Sequence, residues 1–302
     1  MSLLKPYVGL LEDLPPPIIK DRPDRFEHQG PSLKPSAVST SVQWKTAILV
    51  LACNRPTVSK CLDSLLQYLP AEGYSIIVSQ DCGHQETADA IKAYSDRITY
   101  MEQPDRSEPE VDPGHTSLIN YYKISRHYKW ALGKIFDEEP RFEQVIIVEG
   151  IFPLIISRMK FMMLVDDMLI APDFYDYFTA FMPLLQADPS LLCISAWNDN
   201  GKPERINDER QFYRTDFFPG LGWMMTRRLW NELKSKWPRA FWDDWLRNDE
   251  QMLGRSVFLH FDCDSCVSVD LAFDLKFRER LISVKSVSVW ANSLTSTLPE
   301  FS

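Results

Sequence analysis

Glycine is scarce in this chain, with 11 glycines among 302 residues against 21 prolines. Neither GxGxxG nor GxxxxGK followed by Ser or Thr occurs, so the glycine-rich loops that cradle dinucleotides and nucleoside triphosphates are absent. Positive charge is also in deficit, with 33 Lys plus Arg against 42 Asp plus Glu and a net charge of -9. That sign is wrong for a protein that gains affinity by neutralising nucleic-acid phosphates. These absences exclude NAD-dependent, P-loop and polynucleotide-binding functions.

Long apolar runs and a dense cysteine framework are missing as well. No run reaches the roughly 20 apolar residues that a membrane-spanning helix needs, and residues 1–20 carry acidic residues and prolines where a signal peptide is apolar. Six cysteines are too few for a small disulfide scaffold, and Cys263-x-x-Cys266 has no second pair at zinc-site spacing. The residues alone therefore predict a soluble globular protein, whose 45% hydrophobic content supports a substantial core.

The order of apolar patterns predicts an α/β fold. Residues 1–45 are rich in proline and charge and indicate a linker. Continuous β-prone runs at 47–52 and 74–79 flank a helical pattern at 58–68, which makes a βαβ unit. Open parallel sheets bind ligands beyond the carboxyl ends of their strands. Arg55 and Asp81 follow the first two strands, and we expect them in that crevice.

An aspartate pair, Asp166-Asp167, follows the apolar residues 161–165. Adjacent carboxylates at a strand end can hold Mn2+ or Mg2+ against a diphosphate, because these cations prefer oxygen ligands. Paired carboxylates also cap helices or lie in solvent. Either residues 144–148 or residues 161–165 could form the strand that delivers the pair.

Further positions each have a functional and a structural interpretation. The aromatic residues of FWDDW (241–245) could raise a carboxylate pKa toward general-base values, or they could anchor a helix start. The aromatics and glycines at 216–223 suit close approach to a sugar ring, or an ordinary turn. His127 could be a ligand contact or a hydrogen-bonded core histidine. Arg55 could bind a diphosphate or form a surface salt bridge.

Several of these segments together resemble the β-1,2-N-acetylglucosaminyltransferase I family of Golgi glycosyltransferases. The longest are YYKISRHYKWAL, SAWNDNG, YRTDFFPGLGW and KWPRAFWDDW, which occur in the family's order. The matching segments are residues 49–63, 76–84, 121–132, 171–178, 190–202, 213–224 and 236–247. The related enzyme that adds GlcNAc to O-linked mannose shares part of the pattern, but FWDDW and SQDCGH favour the N-glycan family.

The resemblance implies a Rossmann-like GT-A fold, with a mixed, mostly parallel sheet flanked by helices. It implies an inverting, Mn2+-dependent transfer of GlcNAc from UDP-GlcNAc to the 2-hydroxyl of a mannose on N-glycans of glycoproteins. It also implies location at the lumenal side of the Golgi membrane. The implied site comprises the nucleotide-sugar contacts Arg55, Asp81, His127 and Asp166, the donor-sugar neighbours Leu221 and Trp242, the Mn2+ ligand Asp167, the catalytic base Asp243 and the disulfide Cys53–Cys82.

The chain departs from the family pattern in three places, which together indicate an aberrant or truncated form. The family's Glu-Asp-Asp triplet is contiguous, whereas residues 150–165 separate Glu149 from Asp166 in this chain. We interpret this insert as a translated intron or gene-model error. Resemblance fades after Arg255, and Val257 stands where the family has the cysteine that pairs with Cys193. The third expected departure is that the family's membrane anchor is missing.

The predicted organisation is therefore a stem-like linker at 1–45, a GT-A domain at 46–255 with an atypical insert at 150–165, and a divergent tail at 256–302. The C-terminal part of the fold is expected to be missing. Two alternatives stay open for the activity. One is a catalytically inactive truncated isoform that at most binds a partner, and the other is an O-mannose-directed GlcNAc transferase.

Overall fold

A computed structural model describes residues 45–149, 168–198, 212–260 and 267–269. The predictions for Asp166, Asp167, the insert and the two C-terminal cysteines lie outside these described residues. Ten strands are described: β1 (Lys45–Ala52), β2 (Tyr74–Gln80), β3 (Thr99–Glu102), β4 (Phe142–Glu149), β5 (Met168–Ile170), β6 (Leu191–Ser195), β7 (Phe212–Thr215), β8 (Trp223–Thr226), β9 (Ser256–His260) and β10 (Val267–Val269). No helix among the described residues is long and apolar enough to span a membrane.

The helices connect and cover these strands. They are α1 (Val58–Tyr68), α2 (Gln85–Lys92), α3 (Ile119–Glu138), α4 (Phe174–Ala187), α5 (Arg227–Leu233), α6 (Trp242–Leu246) and α7 (Asp249–Met252), with a 3-10 turn at Thr116–Leu118 leading into α3. The strands form one eight-stranded sheet in the order β3-β2-β1-β4-β8-β6-β9-β7, and β5 pairs antiparallel with β10.

The centre of the sheet is parallel, because β1 pairs parallel with both β2 and β4. The apolar run 47–52 is buried on both faces, as a central strand requires. Leu51 lies opposite Ser79 on one side and Glu149 on the other, so the three strands end at one edge. The predicted α/β class with a mixed, mostly parallel sheet is confirmed. The structure also shows that residues 144–148 lie within β4, the strand that pairs with β1. The alternative segment, residues 161–165, lies outside the described residues.

Helices cover both faces of the sheet, and alternate residues of the central strands pack into two separate cores. Ile48 and Ile146 pack with Leu62 of α1 on one face. Leu49 and Ile147 pack with α3 and α5 on the other face. Successive side chains of a strand point to opposite faces of the sheet. Because helices cover both faces here, both sets of side chains are buried, and the strand sequence is continuously apolar. Burying one such Leu or Ile side chain contributes about 1.5–3 kcal/mol.

The first residues of the predicted tail belong to the main sheet. Strand β9 pairs parallel with β6 and antiparallel with β7, and Val257 is fully buried. Cys193 of β6 lies opposite Val257 and is a buried free thiol, as the expected loss of the family's bridge requires. Burial raises the pKa of the Cys193 thiol, which therefore stays protonated and packs as an apolar group.

Candidate active site

A disulfide joins the loops that follow β1 and β2. Cys53 and Cys82 are bonded, with their Cα atoms 5.2 Å apart, which confirms the predicted bridge. The Gln80 side chain donates to the Cys53 carbonyl at 3.0 Å, and the Asp81 amide donates to the Ala52 carbonyl at 2.9 Å. These bonds hold the carboxyl edge of the sheet in one arrangement. Arg55 follows Cys53 by two residues in the chain and is partly exposed.

Asp81 presents a nearly buried carboxylate at this edge. Its side chain accepts a hydrogen bond from the Cys82 amide at 2.7 Å. Burial raises the pKa of Asp81 above its ordinary value, although the Cys82 N–H and the positive charges of Arg126 and Lys123 act in the opposite direction. A buried acceptor of this kind suits a neutral polar group of a ligand, such as a hydroxyl or an amide N–H.

His127 approaches the same edge from α3. It is 1% exposed, and its Nε2 lies 2.7 Å from the Ser79 hydroxyl of β2. Its Nδ1 has no hydrogen-bond partner among the described residues. Burial, assisted by the nearby Arg126, lowers the pKa of His127 to about 3, so the ring is neutral at physiological pH. The positive charge of Arg126 lowers the pKa of both His127 and Asp81.

Trp242 begins α6 and is packed among aromatic rings. Trp223 and Trp237 each stack on it with ring centroids 6.0 Å apart and nearly parallel planes. The Tyr128 ring lies closer, at 4.2 Å. Trp242 is consequently 4% exposed, and the start of α6 has little freedom to move.

Asp243 follows Trp242 and remains accessible, with 36% of its side chain exposed. Its Oδ2 accepts a hydrogen bond from Arg247 Nη1 at 3.0 Å, one helical turn further on. Its Oδ1 has no partner among the described residues. Asp244 accepts from the same Arg247 nitrogen at 2.8 Å but points further into solvent, with 73% of its side chain exposed. Arg247 thus fixes one oxygen of Asp243 and leaves the other available.

Phe241, directly before Trp242, adopts left-handed backbone geometry with φ of 53°. This conformation costs free energy for a residue with a Cβ and persists where packing holds it. The Phe241 ring lies 4.7 Å from Tyr121 and 5.7 Å from His115. The Tyr122 hydroxyl bonds both His115 and the Asp112 carboxylate, which ties the preceding loop to this aromatic group.

Leu221 lies in the loop between β7 and β8, beside the end of β6. Its carbonyl accepts from the Ser195 hydroxyl at 3.2 Å, and the next carbonyl, of Gly222, accepts from the Ala196 amide at 2.7 Å. Arg247 Nε donates to the Phe218 carbonyl in the same loop at 2.9 Å. The side chain of Arg247 therefore connects the Leu221 loop to the carboxylate of Asp243.

Helix α3 joins the two halves of the site, because its consecutive residues His127 and Tyr128 contact Ser79 and Trp242 respectively. Sequence reasoning missed the roles of Ser79 and Arg247. The spacing of four residues between Asp243 and Arg247 was a readable signal for their ion pair. No local signal indicated that Ser79 would meet a residue 48 positions away.

The described residues contain no group of three His, Cys, Asp or Glu side chains that could hold a metal ion. The predicted ligand Asp167 and its neighbour Asp166 lie outside the described residues. Glu149 ends β4 at the carboxyl edge of the sheet. The described part of the chain does not by itself form a Mn2+ site.

The central parallel strands, covered by helices on both faces, with Asp81 and His127 at their carboxyl edge, define an α/β protein of the Rossmann-like class. The chain belongs to the GNT-I family, whose family model matches residues 19–260. It is 40% identical over 240 residues to an alpha-1,3-mannosyl-glycoprotein 2-beta-N-acetylglucosaminyltransferase from Arabidopsis thaliana. That alignment covers 78% of this chain and 49% of the relative, so the chain spans about half the relative's length.

Solved structures show a more distant similarity. The TarS 1-349 structure from S. aureus is 15% identical, with a TM-score of 0.47 over 80% of this chain and 65% of that one. The mannosyltransferase PcManGT from Pyrobaculum calidifontis, in complex with GDP-Man and Mn2+, is 16% identical, with a TM-score of 0.47 over 84% of this chain and 65% of that one.

Proposed function

We propose that this protein transfers GlcNAc from UDP-GlcNAc to the 2-hydroxyl of a mannose on high-mannose N-glycans. The observation that carries the proposal is Asp243, whose carboxylate is held by Arg247 through one oxygen and is partly exposed to solvent. The Arabidopsis relative bears the name of a mannosyl-glycoprotein GlcNAc transferase. Family membership supports the same reaction class.

The proposed reaction is a single displacement. Asp243 Oδ1 takes the proton of the mannose hydroxyl as its oxygen attacks the anomeric carbon of GlcNAc. The bond from that carbon to the diphosphate oxygen breaks, and UDP leaves with the electron pair. Attack opposite the leaving group inverts the anomeric centre and produces a β linkage. Arg247 orients the carboxylate throughout.

The proposed donor site lies between α3 and the carboxyl edge of the sheet. Arg55, Asp81 and His127 hold the nucleotide portion, with Asp166 as a further contact. The unpartnered Nδ1 of His127 supports this placement, since a buried polar atom needs a partner. Leu221 and Trp242 lie on the side of Asp243 and enclose the donor sugar.

The Mn2+ requirement is proposed from the Asp166-Asp167 pair alone. Aspartate oxygens suit a hard divalent cation, and Asp167 is the proposed ligand. Bound Mn2+ would supply positive charge to the departing diphosphate. Localisation at the lumenal side of the Golgi membrane is likewise proposed, and the Cys53–Cys82 bridge supports it because disulfides persist in oxidising secretory compartments.

The test combines donor binding with an acceptor panel. Thermal unfolding is followed with and without UDP-GlcNAc and Mn2+, and saturating donor at 100 times its Kd should stabilise the protein by about 2.7 kcal/mol. Mass spectrometry of high-mannose glycans should then show the addition of one GlcNAc. The absence of both stabilisation and product would identify an inactive form. Product on mannosyl peptides alone would identify an O-mannose-directed enzyme.

A further inference from the structure

Phe217 exposes a large apolar ring at the rim of the candidate site. Half of its surface is accessible, and among the described residues only Leu253 is a comparably exposed large apolar side chain. Single exposed apolar residues are common on protein surfaces. Phe217 is distinguished by its position, because it lies in the loop that the Arg247 side chain connects to the proposed base Asp243.

One guanidinium group connects the Phe217 ring to the Asp243 carboxylate. The Cζ atom of Arg247 lies 5.0 Å from the centroid of the Phe217 ring. The Nη1 atom of the same group is 3.0 Å from Oδ2 of Asp243. The same planar group therefore contacts both the ring and the proposed base.

The ring is held in place by its neighbours in the chain. The Phe217 amide donates to the Thr215 hydroxyl at 3.1 Å. The next residue, Phe218, is fully buried with its ring edge against Trp223 at 4.9 Å. An exposed aromatic side chain on a fixed backbone is a preformed surface, so little ordering is required when a ligand covers it.

We propose that Phe217 is the acceptor platform: its exposed ring receives the apolar face of the acceptor mannose and directs a hydroxyl toward Asp243. The proposal rests on the proposed function and assigns the acceptor side of the same site. An acceptor must reach Asp243 from solvent, and Phe217 is an exposed aromatic ring in the loop that Arg247 connects to Asp243. Trp242, in contrast, is buried and belongs to the proposed donor side.

The test compares Phe217→Ala with Phe217→Tyr in the full chain, with Leu253→Ala as the matched control. Steady-state kinetics are measured for both substrates. Phe217→Ala should raise the KM for a mannose-terminated glycan about tenfold, the value of one aromatic contact. The KM for UDP-GlcNAc should stay near that of the unchanged protein, and Phe217→Tyr should restore acceptor KM. A fall in kcat alone would overturn the platform role, because it would indicate an effect through Arg247 on Asp243.

Direct binding separates failure of this inference from failure of the proposed function. Saturation-transfer NMR with methyl α-mannoside reports contact without turnover. Signal that is present in the unchanged protein and lost in Phe217→Ala supports the platform, even if no transfer is detected. Equal signal in both proteins, no signal in the unchanged protein, or an equal loss in Leu253→Ala would each overturn it. If the unchanged protein is active but Phe217→Ala alters neither the acceptor KM nor the NMR signal, the platform is overturned and the proposed function still holds.

Discussion

Tyr128 and Trp242 are in contact, with ring centroids 4.2 Å apart and ring planes inclined by 32°. The two residues are far apart in the chain, and each adjoins a candidate functional group. His127 precedes Tyr128 on α3, and Asp243 follows Trp242 on α6. The contact makes the donor edge of the sheet and the proposed base parts of one packed unit, since α3 also reaches Ser79.

Asp243→Asn is expected to lower kcat by about 10²–10⁴-fold, because an amide cannot accept the acceptor proton. The donor Kd should change little, since the amide preserves the shape of the side chain and its bond from Arg247. Activity assays and donor titration measure both effects. Asp244→Asn is the matched control, because Asp244 accepts from the same Arg247 nitrogen, and its turnover should stay near normal. Similar losses in both variants would refute the assignment of Asp243.

The buried His127 should make the protein sensitive to mild acid. In the unfolded chain a histidine binds a proton near pH 6.5, whereas in the fold the pKa of His127 is lowered to about 3. Between these values the unfolded state binds more protons, so the free energy of unfolding falls as the pH falls. At pH 5.5 the loss is about 1.2 kcal/mol relative to pH 7.

Urea unfolding of the unchanged protein and of His127→Gln, followed between about pH 7.5 and 4.5, measures this contribution. The variant should show a shallower loss of stability, because its side chain does not titrate. Asp81 is present in both proteins, so its raised pKa affects both curves equally. Parallel curves would show that His127 is not the source of the acid sensitivity.

Two glycines should respond in opposite directions to alanine. Gly83 has φ of +62°, and a Cβ there would lie 2.6 Å from the Arg106 guanidinium. That side chain can move, so the backbone supplies most of the cost, and Gly83→Ala should destabilise by about 1–2 kcal/mol. Gly133 lies within α3 with no atom closer than 3.9 Å to a Cβ. Gly133→Ala should therefore stabilise by about 0.5–1 kcal/mol. Thermal or urea unfolding of both variants checks the signs, and equal effects would contradict this account.

The Cys53–Cys82 bridge closes a loop with a sequence separation of 29 residues. Its loss should lower the free energy of unfolding by about 3–4 kcal/mol, because the unfolded chain regains the freedom of that loop. Replacing both cysteines with serine, or reducing the unchanged protein, should lower Tm by similar amounts. Reductant should have little effect on the double serine variant. An equal Tm decrease in both proteins would locate the sensitivity elsewhere.

Much of the central sheet was predictable from local patterns. The apolar runs at 47–52 and 74–79 became β1 and β2, and the helical pattern at 58–68 became α1 with the same bounds. These elements are periodic over many residues, and their burial demands the pattern that predicts them. Strand β8 was not predicted, because its four residues are too few to show a period.

The sequence by itself determined the fold class, the family and the residue types available for chemistry, since these depend on composition and on ordered motifs. Only the tertiary structure decided that β4 pairs with β1 and that β9 is a strand of the same sheet. It also decided that the Arg247 side chain contacts both Phe217 and Asp243. Those relationships arise between segments that are distant in the chain. They are selected by burial and packing across the whole fold. A local sequence pattern cannot predict them, because the contacts form only when α3, α6 and the sheet come together.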